Sequence, residues 1–334
     1  MKKIKVAVNG FGRIGRLTFK LLLSHPEIDV VAVNDLTDNS TLVHLLKYDS
    51  THGKLNANIS CDDNNIYVNE RKIDALAIKD PSLLPWQKLD VDIVLECTGK
   101  FRGEEEAGKH LQAGAKRVII SAPAKGNVKT VVLGVNEHIL NVDDKIISNA
   151  SCTTNCLAPM IKVLEESFGI EQAFVTTVHA YTADQNLQDA PHKGDLRRAR
   201  AAAMNIVPTT TNAGTALSKV YKPASGKVKA SAIRVPVIDG SLTEINAILK
   251  AAPTIEQINA VFKNASETNL KGIIEYVSDP LVSTDIIGNL HSAIFDSLLT
   301  DSNGNFVKIT GWYDNEAGYS QRLVDLIEYI QKKF

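Results

Sequence analysis

The chain has no apolar stretch long enough to cross a bilayer. A spanning helix needs roughly 18 or more apolar residues in a row, and no uninterrupted run approaches that. The opening Met1-Lys2-Lys3 is followed by too short an apolar run for a secretory signal. The four cysteines, Cys61, Cys97, Cys152 and Cys156, form no C-x-x-C pair and no zinc pattern, so no metal site is expected. Charge of one sign is also lacking. The formal net charge is −1, which gives no global field to attract nucleic acid or an anionic membrane. There is no internal repeat, low-complexity tract or Pro/Gly-rich linker. What remains is 334 residues, 44% of them apolar and 22% charged. That suffices for packed cores in two domains, and the whole profile points to a soluble, cytoplasmic enzyme kept in a reducing compartment.

The most informative stretch is Asn149-Ala150-Ser151-Cys152-Thr153-Thr154-Asn155-Cys156-Leu157-Ala158-Pro159. It follows a strand-like run, Lys145-Ile146-Ile147-Ser148, and opens a helix-like one. Cys152 therefore stands at a helix N-terminus among hydroxyls and amides. Outward-facing N–H groups and the positive end of the helix dipole favour a thiolate there and predict a lowered thiol pKa. Pro159, seven residues on, conflicts with a continuous helix.

A nucleotide site is legible at the start. Lys3-Ile4-Lys5-Val6-Ala7-Val8 reads as a strand, and residues 17–23 as a helix stopped by Pro26. Between them Gly10, Gly12 and Gly15 fit G-x-G-x-x-G in its required strand–turn–helix context. The first glycine allows the tight turn, the second admits the pyrophosphate, and the third lets helix and strand pack closely. A second strand, Val30-Val31-Ala32-Val33, leads to Asp35, 20 residues beyond Gly15. An acid at that place hydrogen-bonds the ribose hydroxyls and repels a 2′-phosphate, so NAD is favoured over NADP.

Residues 1–150 alternate strand-like and helix-like runs, among them Val91 to Glu96, Arg117-Val118-Ile119-Ile120 and Thr130-Val131-Val132-Leu133. This predicts a Rossmann-type, doubly wound parallel sheet, with Cys97-Thr98-Gly99 and Ser121-Ala122-Pro123 bordering the cofactor. Residues 151–314 are richer in long β-runs, at 174–179, 227–237, 242–249 and 306–312. They predict a catalytic domain with a mainly antiparallel sheet and helices, the likeliest at 210–221 and 254–266. An amphipathic segment at 317–332, with Leu323, Leu326, Ile327 and Ile330 on one face, predicts that residues 315–334 return to complete the first domain.

In these motifs the chain resembles the phosphorylating glyceraldehyde-3-phosphate dehydrogenases. The similarity runs essentially the whole length. It rests on residues 9–16 and 150–159, on Tyr48-Asp49-Ser50-Thr51-His52-Gly53, Thr177-Val178-His179-Ala180-Tyr181-Thr182 and residues 195–203, and on Arg234-Val235-Pro236 and Trp312-Tyr313-Asp314-Asn315-Glu316. The resemblance implies oxidation of glyceraldehyde 3-phosphate to 1,3-bisphosphoglycerate, with NAD and inorganic phosphate, in glycolysis. Cys152 would attack the aldehyde to give a thiohemiacetal. Hydride would pass to NAD, and phosphate would attack the resulting thioester. His179 would be the general base and, as imidazolium, would help hold the thiolate. Arg234 and Thr182 would hold the substrate's C3 phosphate. Ser151, Thr153 and Thr211 would hold inorganic phosphate, with a backbone N–H at Asn212. Arg13 and Ile14 would offer backbone to the pyrophosphate, Lys79 would lie on the adenine side, and Ser121 and Asn315 would approach the nicotinamide. The basic run His192-Lys193-Gly194-Asp195-Leu196-Arg197-Arg198-Ala199-Arg200 would lie in a long loop at the centre of a homotetramer. Arg197 and Arg200 would form inter-subunit or substrate-side ion pairs there.

Three departures from the family pattern stand out. Asn212 replaces the usual glycine, with asparagine expected to tolerate a left-handed backbone. Val237-Ile238-Asp239-Gly240-Ser241 differs from the usual Thr-Pro-Asn-Val-Ser type, and Ala190 is smaller than the residue often found there. Three other readings remain: an erythrose-4-phosphate dehydrogenase that hydrolyses its thioester with water, an NADP-preferring relative, and a binding role on the same scaffold.

Overall fold

A computed structural model of the protein describes residues 3–334. The chain divides into two compact units. The first holds the residues up to Val131 with His138–Ala150 and Ser320–Phe334; the second holds Val132–Glu137 and Ser151–Tyr319.

The first unit is built on a nine-stranded sheet. Its order is Lys129–Thr130, Ile146–Ser148, Arg117–Ile120, Ile93–Glu96, Ile4–Asn9, Ile28–Asn34, Arg71–Leu76, Asn65–Val68 and Ile59–Cys61. All pairings from the first edge to Arg71–Leu76 are parallel; the last two strands pair antiparallel. Val6, Ala7, Val8, Val94, Leu95 and Ile119 are fully buried, as expected of apolar strands covered on both faces. The chain reverses strand order across Ile4–Asn9, and ligands of doubly wound sheets bind beyond the carboxyl ends of strands at such a place. Helix Arg13–Leu22 starts directly after that strand and buries Leu17, Phe19 and Leu22. Helix Ala317–Lys333 supplies Leu323, Val324, Leu326, Ile327 and Ile330 as buried side chains. The expected strand at 130–133 is only Lys129–Thr130, because the chain turns away through Gly134 at φ +81°.

The second unit has an eight-stranded sheet. Its order is Val207–Thr209, Val228–Val235, Ile170–Ala180, Ser241–Leu249, Phe306–Tyr313, Ala293–Asp296 and Ile274–Val277, with Asp301–Asn303 added alongside Phe306–Tyr313. Most pairings are antiparallel, but Ile170–Ala180 runs parallel to Val228–Val235, and Ile274–Val277 runs parallel to Ala293–Asp296. The register of the first of these pairs sets His179 directly beside Arg234. Helix Cys152–Phe168 lies against the sheet so closely that a Cβ at Gly311 would overlap the Met160 sulfur. The helix runs unbroken through Pro159, with residues 153–161 buried. Helix Ile255–Glu267 begins with a capping box between Thr254 and Gln257, a reciprocal pairing that satisfies two otherwise unmet N–H groups.

Candidate active site

The nucleophile is presented by a helix cap. Ser151 caps helix Cys152–Phe168, its hydroxyl accepting from the Thr154 N–H at 3.2 Å. This leaves Cys152 as the first helical residue, with its Sγ 3.5 Å from His179 Nε2. His179 sits near the end of strand Ile170–Ala180 and is only 4% exposed. Its Nδ1 lies 2.7 Å from both the Ala180 carbonyl oxygen and Arg234 Nη1. The same Nη1 donates to the Ala180 carbonyl at 2.9 Å. Tyr313 packs edge-on against the imidazole at 5.8 Å and reaches the Thr153 hydroxyl at 3.1 Å. One strand pairing and one helix cap thus bring Cys152, His179, Arg234 and Thr153 together.

Burial works against charge on both groups. Burial, then the positive charges of Arg234 and Arg198, push the His179 imidazole down to about 3. Burial also raises the Cys152 thiol above its ordinary value, outweighing the opposing pull of Arg234 and of hydrogen bonds from Thr153. The helix-terminus argument predicted a lowered thiol, and desolvation reverses it. A neutral imidazole at His179 is a group that can accept a proton.

Other expected residues fall into place around this centre or away from it. Thr182 is half-buried just past the end of the His179 strand. The Thr211 hydroxyl accepts from the Ala213 N–H at 3.2 Å at the start of helix Ala213–Val220. Asn212 is the residue before that helix and has φ −89°, so the left-handed backbone expected of it is not adopted. A glycine's freedom is not required there. Arg197 is exposed, whereas its neighbour Arg198 is held by three groups. Arg198 donates to Asp184 at 2.5 Å, to the Thr209 hydroxyl at 2.9 Å and to the Thr210 carbonyl at 3.0 Å. The charge of Arg198 is felt at both His179 and Arg234. Arg200 pairs with Asp189 of the same loop at 2.8 Å. Sequence reasoning missed Arg198 because adjacent arginines in an irregular loop have no periodicity to separate them. It also missed Ser241, whose hydroxyl donates to Asn315 Oδ1 at 2.7 Å and accepts from the Ala180 N–H at 3.1 Å. That bond fixes which way the Asn315 amide faces.

In the first unit a pocket of about 660 Å³ opens at the carboxyl ends of the strands. Gly10, Gly12, Asp35 and Lys79 line it, with Asn9, Asn34, Thr98 and Phe101. Gly10 has φ +91°, and a Cβ there would strike the Cys97 and Thr98 backbone. A Cβ at Gly15 would overlap the Gly10 carbonyl, whereas one at Gly12 would meet no protein atom within 4 Å. Gly12 therefore leaves room for something other than protein, directly at the start of helix Arg13–Leu22, whose first-turn amides, including Ile14, face an incoming anion. The Arg13 side chain turns to Asp49 at 3.2 Å. Asp35 is oriented by the N–H groups of Phe11 at 2.8 Å and Thr37 at 3.0 Å. Ser121 follows the strand Arg117–Ile120, its N–H bonded to the Glu96 carbonyl at 3.0 Å. These residues fit a dinucleotide: space at Gly12 for a pyrophosphate and a fixed carboxylate for ribose hydroxyls.

Comparison with known proteins agrees with this geometry. Residues 4–104 match the family described as "Glyceraldehyde 3-phosphate dehydrogenase, NAD binding domain", and residues 151–315 match "Glyceraldehyde 3-phosphate dehydrogenase, C-terminal domain". The chain is 53% identical to glyceraldehyde-3-phosphate dehydrogenase 1 of Bacillus subtilis (strain 168), over 99% of each chain. It is 54% identical to the glyceraldehyde-3-phosphate dehydrogenase of Mycobacterium avium, over 98% of this chain and 99% of the other. To that of Geobacillus stearothermophilus it is 53% identical, over 99% of each. With both halves matched and the likeness running end to end, the chain belongs to the glyceraldehyde-3-phosphate dehydrogenase family.

Proposed function

We propose that this protein oxidises D-glyceraldehyde 3-phosphate to 1,3-bisphosphoglycerate in glycolysis, using NAD and inorganic phosphate. The observation that carries the reading is the Cys152–His179–Arg234 constellation: a nucleophile 3.5 Å from a buried base, and a guanidinium 2.7 Å from the base's far nitrogen. The Cys152 sulfur attacks the aldehyde carbon, and the carbonyl oxygen becomes the hydroxyl of a thiohemiacetal. His179 Nε2 takes the proton from that hydroxyl as the carbon is oxidised. NAD, when bound, supplies the two-electron acceptor. Cys152 is left as a thioester. A phosphate oxygen then attacks its carbonyl carbon, the C–S bond breaks, and the sulfur leaves as thiolate beside the imidazolium. Arg234 and Arg198 suit two phosphate groups, since a planar guanidinium matches phosphate oxygens. Anions there also offset the positive charges that depress His179, so substrate binding strengthens the base. Thr182 serves the C3 phosphate beside Arg234; Ser151, Thr153, Thr211 and the Asn212 backbone serve the attacking phosphate. In the dinucleotide site the glycine turn with Arg13, Ile14 and Gly15 takes the pyrophosphate, Asp35 the ribose, Lys79 the adenine side, and Ser121 and Asn315 the nicotinamide carboxamide.

The protein acts in the cytoplasm as a homotetramer. No helix among the described residues is long and apolar enough to cross a membrane. Leu187, Leu196, Met204 and Ile206, each at least 71% exposed, cluster in one stretch of the second unit. Large apolar side chains this exposed suit burial against a partner surface, and a second copy of this chain supplies one.

The test is NADH formation from glyceraldehyde 3-phosphate, with NAD or NADP and with or without phosphate. Sustained turnover requiring NAD and phosphate is expected, with a single burst when phosphate is omitted. Turnover indifferent to phosphate would replace the phosphorylating reaction with a hydrolysing one, as in an erythrose-4-phosphate dehydrogenase.

A further inference from the structure

Beneath the dinucleotide pocket lies a buried polar chain that none of these roles uses. Trp86, Glu96 and His110 are each no more than 1% exposed, and none of them lines the pocket. An indole N–H can only donate. Trp86 Nε1 lies 3.0 Å from His110 Nδ1, so Nδ1 is the acceptor. A neutral imidazole accepting at Nδ1 carries its proton on Nε2. That Nε2 is 3.1 Å from Glu96 Oε2 and donates to it. Asn9 Nδ2 donates to the same oxygen at 2.5 Å. The 3.4 Å approach of Asn9 Nδ2 to His110 Nε2 is then donor against donor, not a bond. Glu96 Oε1 accepts the Thr98 N–H at 2.8 Å and the Thr98 hydroxyl. Four donors on one carboxyl group fill the acceptor capacity of a carboxylate.

The direction of these bonds reaches the pocket wall. With Nδ2 committed to Glu96, the Asn9 Oδ1 accepts from Asn34 Nδ2 at 2.7 Å, and Asn34 Oδ1 accepts the Ile78 N–H at 2.8 Å. Asn9, Asn34, Ile78 and Thr98 all line the pocket, as does Phe101, packed edge-on against the His110 ring at 6.4 Å. Moving the His110 proton to Nδ1 would set it against the Trp86 N–H and withdraw a donor from Glu96. A partly satisfied buried network is worse than none, so only one arrangement is stable.

We propose that Trp86, His110 and Glu96 form a one-way hydrogen-bond relay, with His110 as the neutral Nε2–H tautomer, that positions Asn9, Asn34 and Thr98 for the bound dinucleotide. The relay residues are positioning residues that never touch NAD, and the proposal rests on the dinucleotide reading of the pocket.

The experiment compares His110→Gln, whose amide keeps one acceptor and one donor, with His110→Leu, which has neither. NAD affinity is measured by calorimetry and at steady state. His110→Leu should weaken NAD binding roughly tenfold or more, and raise KM for NAD, with kcat and KM for the aldehyde unchanged. His110→Gln should restore binding to about the wild-type level. The Trp86 indole N–H resonance, identified as the one that survives Trp312→Phe, should stay hydrogen-bonded in the Gln variant and shift in the Leu variant. Wild-type affinity in His110→Leu, or equal weakening in both variants, overturns the relay. If His110→Leu does not fold, Trp86→Phe removes the first donor while keeping an aromatic ring, and unchanged NAD affinity there also overturns it. A wild-type chain that fails to bind NAD overturns the dinucleotide reading itself, and the relay with it.

Discussion

At the residue scale, the site assigns opposite fates to two neighbouring arginines. Arg198 is clamped by Asp184, Thr209 and Thr210 and its charge reaches His179, while Arg197 is exposed. Charge-assisted hydrogen bonds are each worth about 1.5–3 kcal/mol. Arg198→Leu should therefore raise KM for glyceraldehyde 3-phosphate or for phosphate roughly tenfold to a hundredfold, and Arg197→Leu should change both less than about threefold. Steady-state kinetics on the two variants would settle which arginine serves the anion. Asp239 makes a second prediction, on stability. Burial, then the neighbouring Asp314 and Glu316, raise its carboxyl to about 9. Folded chains thus keep a proton that unfolded chains release above pH ~4. Stability from this group is fully present below that pH and is lost as pH rises toward 9. For one proton the slope is on the order of 1.4 kcal/mol per pH unit. Urea unfolding at pH 5 and pH 8 should show that fall in the wild type and a flatter profile in Asp239→Asn. Equal slopes would remove Asp239 as the cause.

At the element scale, the glycine turn separates folding from binding. A methyl group at Gly15 overlaps the Gly10 carbonyl, where helix Arg13–Leu22 meets its strand; at Gly12 it points into the pocket. Gly15→Ala should lower the thermal midpoint by several degrees, because overpacking costs about 1–3 kcal/mol. Gly12→Ala should melt as the wild type does and yet lose NAD affinity on titration. A Gly12→Ala protein that binds NAD normally would remove the pyrophosphate from this turn. These elements were legible in the sequence because their physics is local: strand, turn and helix lie within residues 4–22, and Ser151 and Thr154 cap the Cys152 helix across three positions. The three-strand meander from Ile59 to Leu76 was not read, since its short, polar strands carry no strong alternation. Nor could sequence show that His179 and Arg234 are neighbours. They are 55 residues apart, and only the parallel register of two strands joins them.

At the scale of the whole molecule, the fold class and the cofactor class were readable, while the direction in which the fold shifts the Cys152 thiol was not. Desolvation in the folded chain raises the thiol against the pull of Arg234 and Thr153, and desolvation is a property of the fold that a local sequence pattern does not carry. The exposed apolar stretch around Leu187, Leu196, Met204 and Ile206 predicts assembly. Sedimentation at micromolar concentration should give a species of four chains, and Met204→Asp with Ile206→Asp should shift it to smaller ones. A monomer at that concentration would remove the tetramer from the proposal.

The division of the chain has a further consequence, for synthesis. The first unit is discontinuous: Ser320–Phe334 belongs to it, yet follows the entire second unit in the sequence. Translation runs at roughly 5–20 residues per second, so the nucleotide-binding half waits on the order of ten to thirty seconds for its last helix. During that interval the apolar surface destined to meet Leu323, Leu326, Ile327 and Ile330 is open on the ribosome. The second unit can close while its predecessor is still incomplete, and the nascent chain's exposure to chaperones is set by the order of its segments.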